Sequence, residues 1–182
     1  LWGFYFGLFA RCVRVLRLYL PAAADQTFIN LDMEEYRDLD LTIAVFTRIL
    51  EDPRLKLLEA GIVLQTYLPD ALPALRELTA WARERVEYGG APIKVRLVKG
   101  ANLAMEKVDA VMHGWPQAPY STKLDTDANY LRCLDEALQP RNIEAVHIGV
   151  AGHTLYDIAY ACVLAGARGG RPSRGAGGAT GS

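Results

Sequence analysis

The sequence has three cysteines, Cys12, Cys133 and Cys162, an odd number spread far apart with no C-x-x-C pair. That excludes a disulfide framework and a thiolate metal site, and it makes a reducing cytoplasm the expected setting. Its three histidines, His113, His147 and His153, form no H-x-x-x-H pair, so no metal centre is expected. Net charge is also small. A formal value of −1 leaves no global basic surface, and nucleic-acid binding by bulk electrostatics is not expected. No G-x-x-x-x-G-K-S/T motif occurs, and no glycine-rich nucleotide fingerprint follows a strand. Leu1–Ala10 is apolar and aromatic, but Arg11, Arg14 and Arg17 follow at a spacing that puts them on one helical face. A membrane span needs about twenty apolar residues, and a secretory signal carries its positive charge before the apolar run. Residues 1–26 are therefore read as an N-terminal helical segment, with an interfacial helix touching a membrane surface as the sharper alternative. With Leu at position 1, the chain is expected to start within a longer protein.

What is present is a globular α/β pattern: 51% hydrophobic and 23% charged residues over 182 positions are enough to bury a core. Thr27–Leu31 is a short β-branched and aromatic run, and Asp32 lies three residues before Glu35, a helix-start spacing. Leu39, Ile43, Phe46 and Leu50 then recur at helical spacing until Asp52-Pro53. A second unit places a strand at Gly61–Thr66 and a helix opened by Pro69-Asp70, with Leu72, Leu75, Thr79, Ala82 and Val86 on one face and Gly89-Gly90 at its end. A third has a strand at Lys94–Val98 and a helix from Ala101 to His113. After a loop with two prolines comes an inserted helix from Asp125 to Leu138, with Leu131, Leu134 and Leu138 inward. The fourth unit is a strand at Ala145–Val150 and a helix at Thr154–Leu164. Such alternation implies a parallel sheet, either doubly wound or a barrel. The domain expected is residues 27–165; residues 166–182, rich in glycine and arginine without apolar periodicity, are expected to be a disordered tail. One Arg-Gly-Gly without interleaved aromatics is little to build an RNA-binding tail on.

The stretch Lys94–Leu103 reads as a strand running into a glycine turn and then a helix. In parallel sheets ligands collect beyond the carboxyl ends of the strands. Asp32, Gln65, Arg96 and Lys99 all fall at or near those ends, on three successive strands. Singly, each has a plain explanation: Asp32 as a helix cap, Gln65 satisfying a backbone group, Arg96 paired with Asp32. Together, an amide, a guanidinium and an ammonium on one rim suggest a site for an anionic or electron-rich cofactor. Arg96 alternates with Val95 and Leu97 and so points to the other face, the interior in a barrel, where it would be buried and need an acceptor. A cofactor that gains negative charge on reduction would supply one. At an effective dielectric of about 20 and a separation of about 4 Å the attraction is at most ~4 kcal/mol, or under ~90 mV of potential for a two-electron couple.

At these residues the chain resembles the proline dehydrogenase domain of the bifunctional proline utilization A flavoenzymes. The matching stretches are Phe28–Glu35, Val63–Tyr67, Ile93–Ala101 and Lys123–Tyr130, in family order. The resemblance implies a (β/α)8 TIM-type barrel, of which this chain would carry about four βα units. It also implies FAD at the carboxyl face, oxidation of L-proline to Δ1-pyrroline-5-carboxylate by hydride transfer to flavin N5, and a quinone electron acceptor. It would place Asp32 in the substrate pocket, Gln65 at the isoalloxazine edge and Arg96 near N5, with Lys99 and Gly100 contacting the flavin from the turn. An aldehyde dehydrogenase domain would lie elsewhere in the parent chain, which would be cytoplasmic and peripheral to the inner face of the membrane.

The chain departs from the family pattern in places. Asn102 stands where many members have a tyrosine, and Gly149-Val150-Ala151 stands where some have Thr-His-Asn, with His153 beyond. The later tyrosine and paired arginines that grip the substrate carboxylate have no counterpart before Ser182, and the earlier substrate lysine is missing. The chain is accordingly expected to be a fragment of such an enzyme, inactive alone. The alternatives are a half-barrel remnant acting only by association, and another barrel enzyme binding a phosphorylated ligand at Lys99-Gly100.

Overall fold

Four parallel strands lie side by side in the order in which the chain makes them. The computed structural model describes residues 2–33, 35–152 and 154–169. Its elements are α1 (Trp2–Asp25), β1 (Ile29–Leu31), α2 (Leu39–Leu50), β2 (Ala60–Gln65), α3 (Ala71–Glu87), β3 (Ile93–Val98), α4 (Leu103–His113), α5 (Lys123–Ala137), β4 (Val146–Ala151) and α6 (Leu155–Ala167). The register runs Ile29 to Ala60, Ala60 to Ile93 and Ile93 to Val146. A doubly wound sheet reverses its direction of growth at a switch point, whereas a barrel adds each strand beside the last. The order β1-β2-β3-β4 therefore settles the alternative that the sequence left open, and the fold is a partial (β/α)8 barrel.

Alternation along the strands separates two faces. On the convex face Ile62, Leu64, Val95, Leu97, Val146 and Ile148 join Phe46, Leu75, Leu78, Tyr130 and Leu134 in one core. The concave face carries Phe28, Asn30, Gly61, Lys94, Arg96 and Gly149, and Lys94 Nζ lies 5.7 Å from the centroid of the Phe28 ring. A Cβ on Gly61 would come within 2.7 Å of Phe28 Cζ, so the glycine leaves room for that ring to cross the sheet. The outer edges of β1 and β4 have no strand partner among the described residues.

Several boundaries differ from those the sequence suggests. Asp32 and Glu35 do not start a helix: a 3-10 turn covers Tyr36–Asp38 and α2 begins at Leu39. Asp32 instead accepts the amide of Met33 at 2.9 Å. The next helix starts at Ala71, and Asp70 makes no capping bond to it. The Asp70 carboxylate accepts the Tyr36 hydroxyl at 2.7 Å. Helix α6 runs on through Ala167, and the expected tail from residue 170 onward lies outside the described residues.

Two anchors hold the remaining layers. Tyr19 of α1 is buried and belongs to the core, while Arg11, Arg14 and Arg17 are exposed as their spacing implies. At the amino ends of the strands the Arg85 guanidinium donates to the carbonyls of Leu50, Leu55, Lys56, Leu58 and Ala91. It thereby ties the α2–β2 and α3–β3 connections together. Among the described residues no helix is long and apolar enough to cross a membrane.

Candidate active site

Strand β3 gathers its polar residues on one face. Lys94, Arg96 and Val98 point to the concave side, and Ile93, Val95 and Leu97 are buried on the other. Arg96 registers with Val63 on one side and Gly149 on the other, neither of which carries charge. It is exposed rather than buried as expected, because the concave face is open. It also makes no ion pair among the described residues, so the pairing with Asp32 is not formed. The guanidinium is thus presented to whatever occupies the concave side.

Gln65 ends β2 and registers with Val98, one step toward the carboxyl end from Arg96 and on the same face. It is 5% exposed, and its Nε2 donates to the Met33 carbonyl at 2.5 Å, joining the ends of β1 and β2. Beyond the ladder the pairing continues, with Thr66 N donating to Val98 O and Tyr67 N to Lys99 O, both at 2.8 Å. Asp32 is exposed just past the end of β1. Gln65 and Arg96 therefore share one face, and Asp32 follows the end of the neighbouring strand.

Lys99 does not share that face. It continues the parity of Leu97, so its side chain leaves on the convex side. There Nζ lies 2.5 Å from Asp127 Oδ1 of α5 and 2.9 Å from Asp157 Oδ2 of α6, above the Tyr130 ring at 5.4 Å. Burial alone would lower the pKa of this ammonium, but the bonds to Asp127 and Asp157 outweigh it and the pKa is raised. Asp127 is held below the usual carboxylate range, first by the hydrogen bond from Lys123 and then by that from Lys99. What remains at the rim is the main chain. Gly100 has φ +129° and is packed against the Tyr67 ring, a conformation and a closeness that no side chain allows.

Helix α5 supports the same corner a second time. Asn129 is buried, and its Nδ2 donates to Thr66 O at 3.0 Å and Leu68 O at 3.1 Å, fixing the loop that follows β2. Both α5 and α6 are capped by a threonine whose hydroxyl accepts an aspartate amide three residues on, Thr122 from Asp125 and Thr154 from Asp157. The sequence reading missed Asp127, Asn129 and Asp157, since charged and amide side chains in a helix read as a solvated face. The T-x-x-D spacing was the available signal for the two helix starts.

The chain is similar to known proteins over most of its length. The proline dehydrogenase family model matches residues 4–176, beyond both ends of residues 27–165. Among solved structures, Proline Utilization A from Corynebacterium freiburgense is 54% identical with a TM-score of 0.76, over 78% of this chain and 15% of that one. Proline utilization A from Bdellovibrio bacteriovorus, in a crystal structure inactivated by N-propargylglycine, is 32% identical with a TM-score of 0.85, over 92% and 17%. Proline Utilization A from Bradyrhizobium japonicum is 27% identical with a TM-score of 0.78, over 90% and 16%. The chain therefore spans 15–17% of the length of these proteins. No curated protein matches it.

Proposed function

The chain belongs to the proline dehydrogenase family, and from that premise we propose that it supplies part of a FAD site in a barrel that oxidises L-proline to Δ1-pyrroline-5-carboxylate. The observation that carries this reading is Arg96, an exposed guanidinium without an ion pair among the described residues, set beside the Gln65 amide on the concave face. A packed barrel interior has no use for an uncompensated cation, and an electron-rich ring edge would compensate it. The residues fit such a group. Arg96 would donate to the ring edge near N5 and Gln65 would border it. The Lys99-Gly100 main chain would approach it closely because position 100 has no Cβ. The Lys99 side chain is committed to Asp127 and Asp157, so its part in holding FAD is indirect.

Bound FAD would supply the acceptor for the hydride that leaves proline C5. Asp32, exposed at the end of β1, would face the substrate and help orient its ring nitrogen. Reoxidation by a quinone, a linked aldehyde dehydrogenase domain in the parent protein, a cytoplasmic location and a peripheral membrane contact through the arginine face of α1 complete the reading. The chain alone would lack activity, because the groups that grip the substrate carboxylate are not among its residues.

A second reading rests on a separate observation. Leu155, Tyr156 and Val163 of α6 are 84%, 87% and 72% exposed beside the open edge of β4. Surfaces of this kind favour association, and a half barrel acting only through a partner is the reading that they support.

Flavin fluorescence quenching on the purified chain, with a proline-dependent dye-reduction assay, separates the two. FAD binding without turnover, weakened about tenfold or more by Arg96→Met, is expected. Proline-dependent turnover by this chain would contradict the expectation that it is inactive alone. A dimer that binds no FAD would favour the association reading, and binding of inorganic phosphate but not FAD would favour a phosphorylated ligand.

A further inference from the structure

Four charges form a chain across the convex side of the rim, running inward from solvent. Lys123 is 79% exposed and bonds Asp127 Oδ2 at 2.5 Å; Lys99 bonds Asp127 and forms an ion pair with Asp157, whose side chain is 9% exposed. The outer pair is a common feature of a helix surface. The inner pair is not, because burying a carboxylate and an ammonium costs free energy that only a matched partner recovers.

The fold makes room for that inner pair. A Cβ on Gly152 would lie 2.6 Å from Asp157 Cβ, so the turn after β4 admits Asp157 only because position 152 has no side chain. Asp157 also sits in the first turn of α6, with its amide bonded to Thr154 Oγ at 3.3 Å, which sets the helix start against that turn. From there its carboxylate lies 2.9 Å from Lys99 Nζ. The main chain of Lys99 is held from another direction, since its carbonyl accepts the Tyr67 amide at 2.8 Å. Side chain and backbone of one residue are thus pinned separately, immediately before Gly100.

We infer that Asp157, acting through Lys99, is a positioning residue that fixes the Lys99-Gly100 turn and through it the grip of that turn on the flavin. The flavin part rests on the reading given under Proposed function; the positioning part does not. Asp127 and Asn129 bring α5 to this corner, and Asp157 brings α6. The turn is therefore set by the helix that follows β4 as well as by the strand that leads into it.

Hydrogen exchange at single amides, read alongside FAD affinity, tests this. In Asp157→Asn the Tyr67 amide is expected to exchange about tenfold faster or more, while Ile62 and Leu64 within β2 stay protected. FAD is expected to bind about tenfold more weakly in the same variant, with Asp157→Glu recovering part of both effects. Gly152→Ala displaces Asp157 without removing its charge and should reproduce the faster exchange if Asp157→Asn does not fold. An unchanged Tyr67 amide in folded Asp157→Asn, or one that speeds up only together with all of β2, overturns the positioning role. Faster Tyr67 exchange with unchanged FAD affinity overturns the link to the flavin. If the unsubstituted chain binds no FAD, the flavin reading falls while the exchange result still decides what Asp157 does.

Discussion

Gly100 and Tyr67 interlock: a Cβ built on Gly100 would stand 1.3 Å from Tyr67 Cδ1. The ring cannot retreat cheaply, being 2% exposed within the core, and the backbone at φ +129° disfavours any side chain independently. Gly100→Ala is expected to cost about 2–4 kcal/mol, combining backbone strain with overpacking. Urea unfolding measures this, and an unshifted midpoint would show that the turn adapts.

Arg85 holds five backbone carbonyls from three separate stretches of chain, and burial lowers its pKa. Arg85→Met keeps much of the packing but leaves those carbonyls without their donor, a loss of about 2–4 kcal/mol. Arg85→Lys, with fewer donors and no planar fork, is expected to recover less than half of it. The pair of urea midpoints decides whether the fork geometry or the charge matters.

Stability should fall at both ends of the pH scale through the Lys99–Asp127 pair. Asp127 has a pKa below its ordinary 3.8, so its contribution is present above that value and disappears as the pH drops through the lower folded one. Lys99 has a pKa above its ordinary 10.5, so its contribution is complete below that value and disappears as the pH rises through the higher folded one. Asp127→Asn should flatten the acid limb of a plot of urea midpoint against pH. An acid limb of unaltered slope would assign the acid sensitivity elsewhere.

Tyr36 offers an optical check on the contact between the β1–α2 connection and α3. Its hydroxyl donates to Asp70, which pushes its pKa up to about 12, with burial and the charges of Asp70, Asp40 and Glu106 adding to the shift. Being raised, it contributes stability below pH 10 that is lost as the pH passes about 12. Tyrosinate absorbance should show a late phase, and Tyr36→Phe should shrink that phase by one residue. If only the early phase shrinks, the Tyr36–Asp70 bond does not persist in solution.

How legible all this was depended on whether a feature was local. The alternation Ile93-Lys94-Val95-Arg96-Leu97 announced its strand and its two faces, and the helical spacing of Leu39, Phe46 and Leu50 announced α2, because both patterns are set by near neighbours. The resemblance carried by Arg96–Ala101 led to the family and the barrel. Helix starts were harder. Asp32 and Glu35 have the spacing of a capping box but start no helix, Glu35 being extended, whereas Thr122 with Asp125 and Thr154 with Asp157 do cap. The partners of Lys99 were not legible at all, since Asp127 and Asp157 lie on two later helices and meet it only through tertiary packing, Asp157 after β4 is in place. Nor could Arg96 be known to stand exposed, a consequence of the sheet being open on its concave side.

Because every strand pairs with the one made before it, the sheet can grow by accretion as the chain leaves the ribosome. Each new βα unit docks on an edge already waiting, with no earlier contact to be undone. The outer side of β4, without a strand partner among the described residues, is then the edge on which a further unit would dock. Any chain that halts there presents nascent-like surface to chaperones and proteases for as long as it persists.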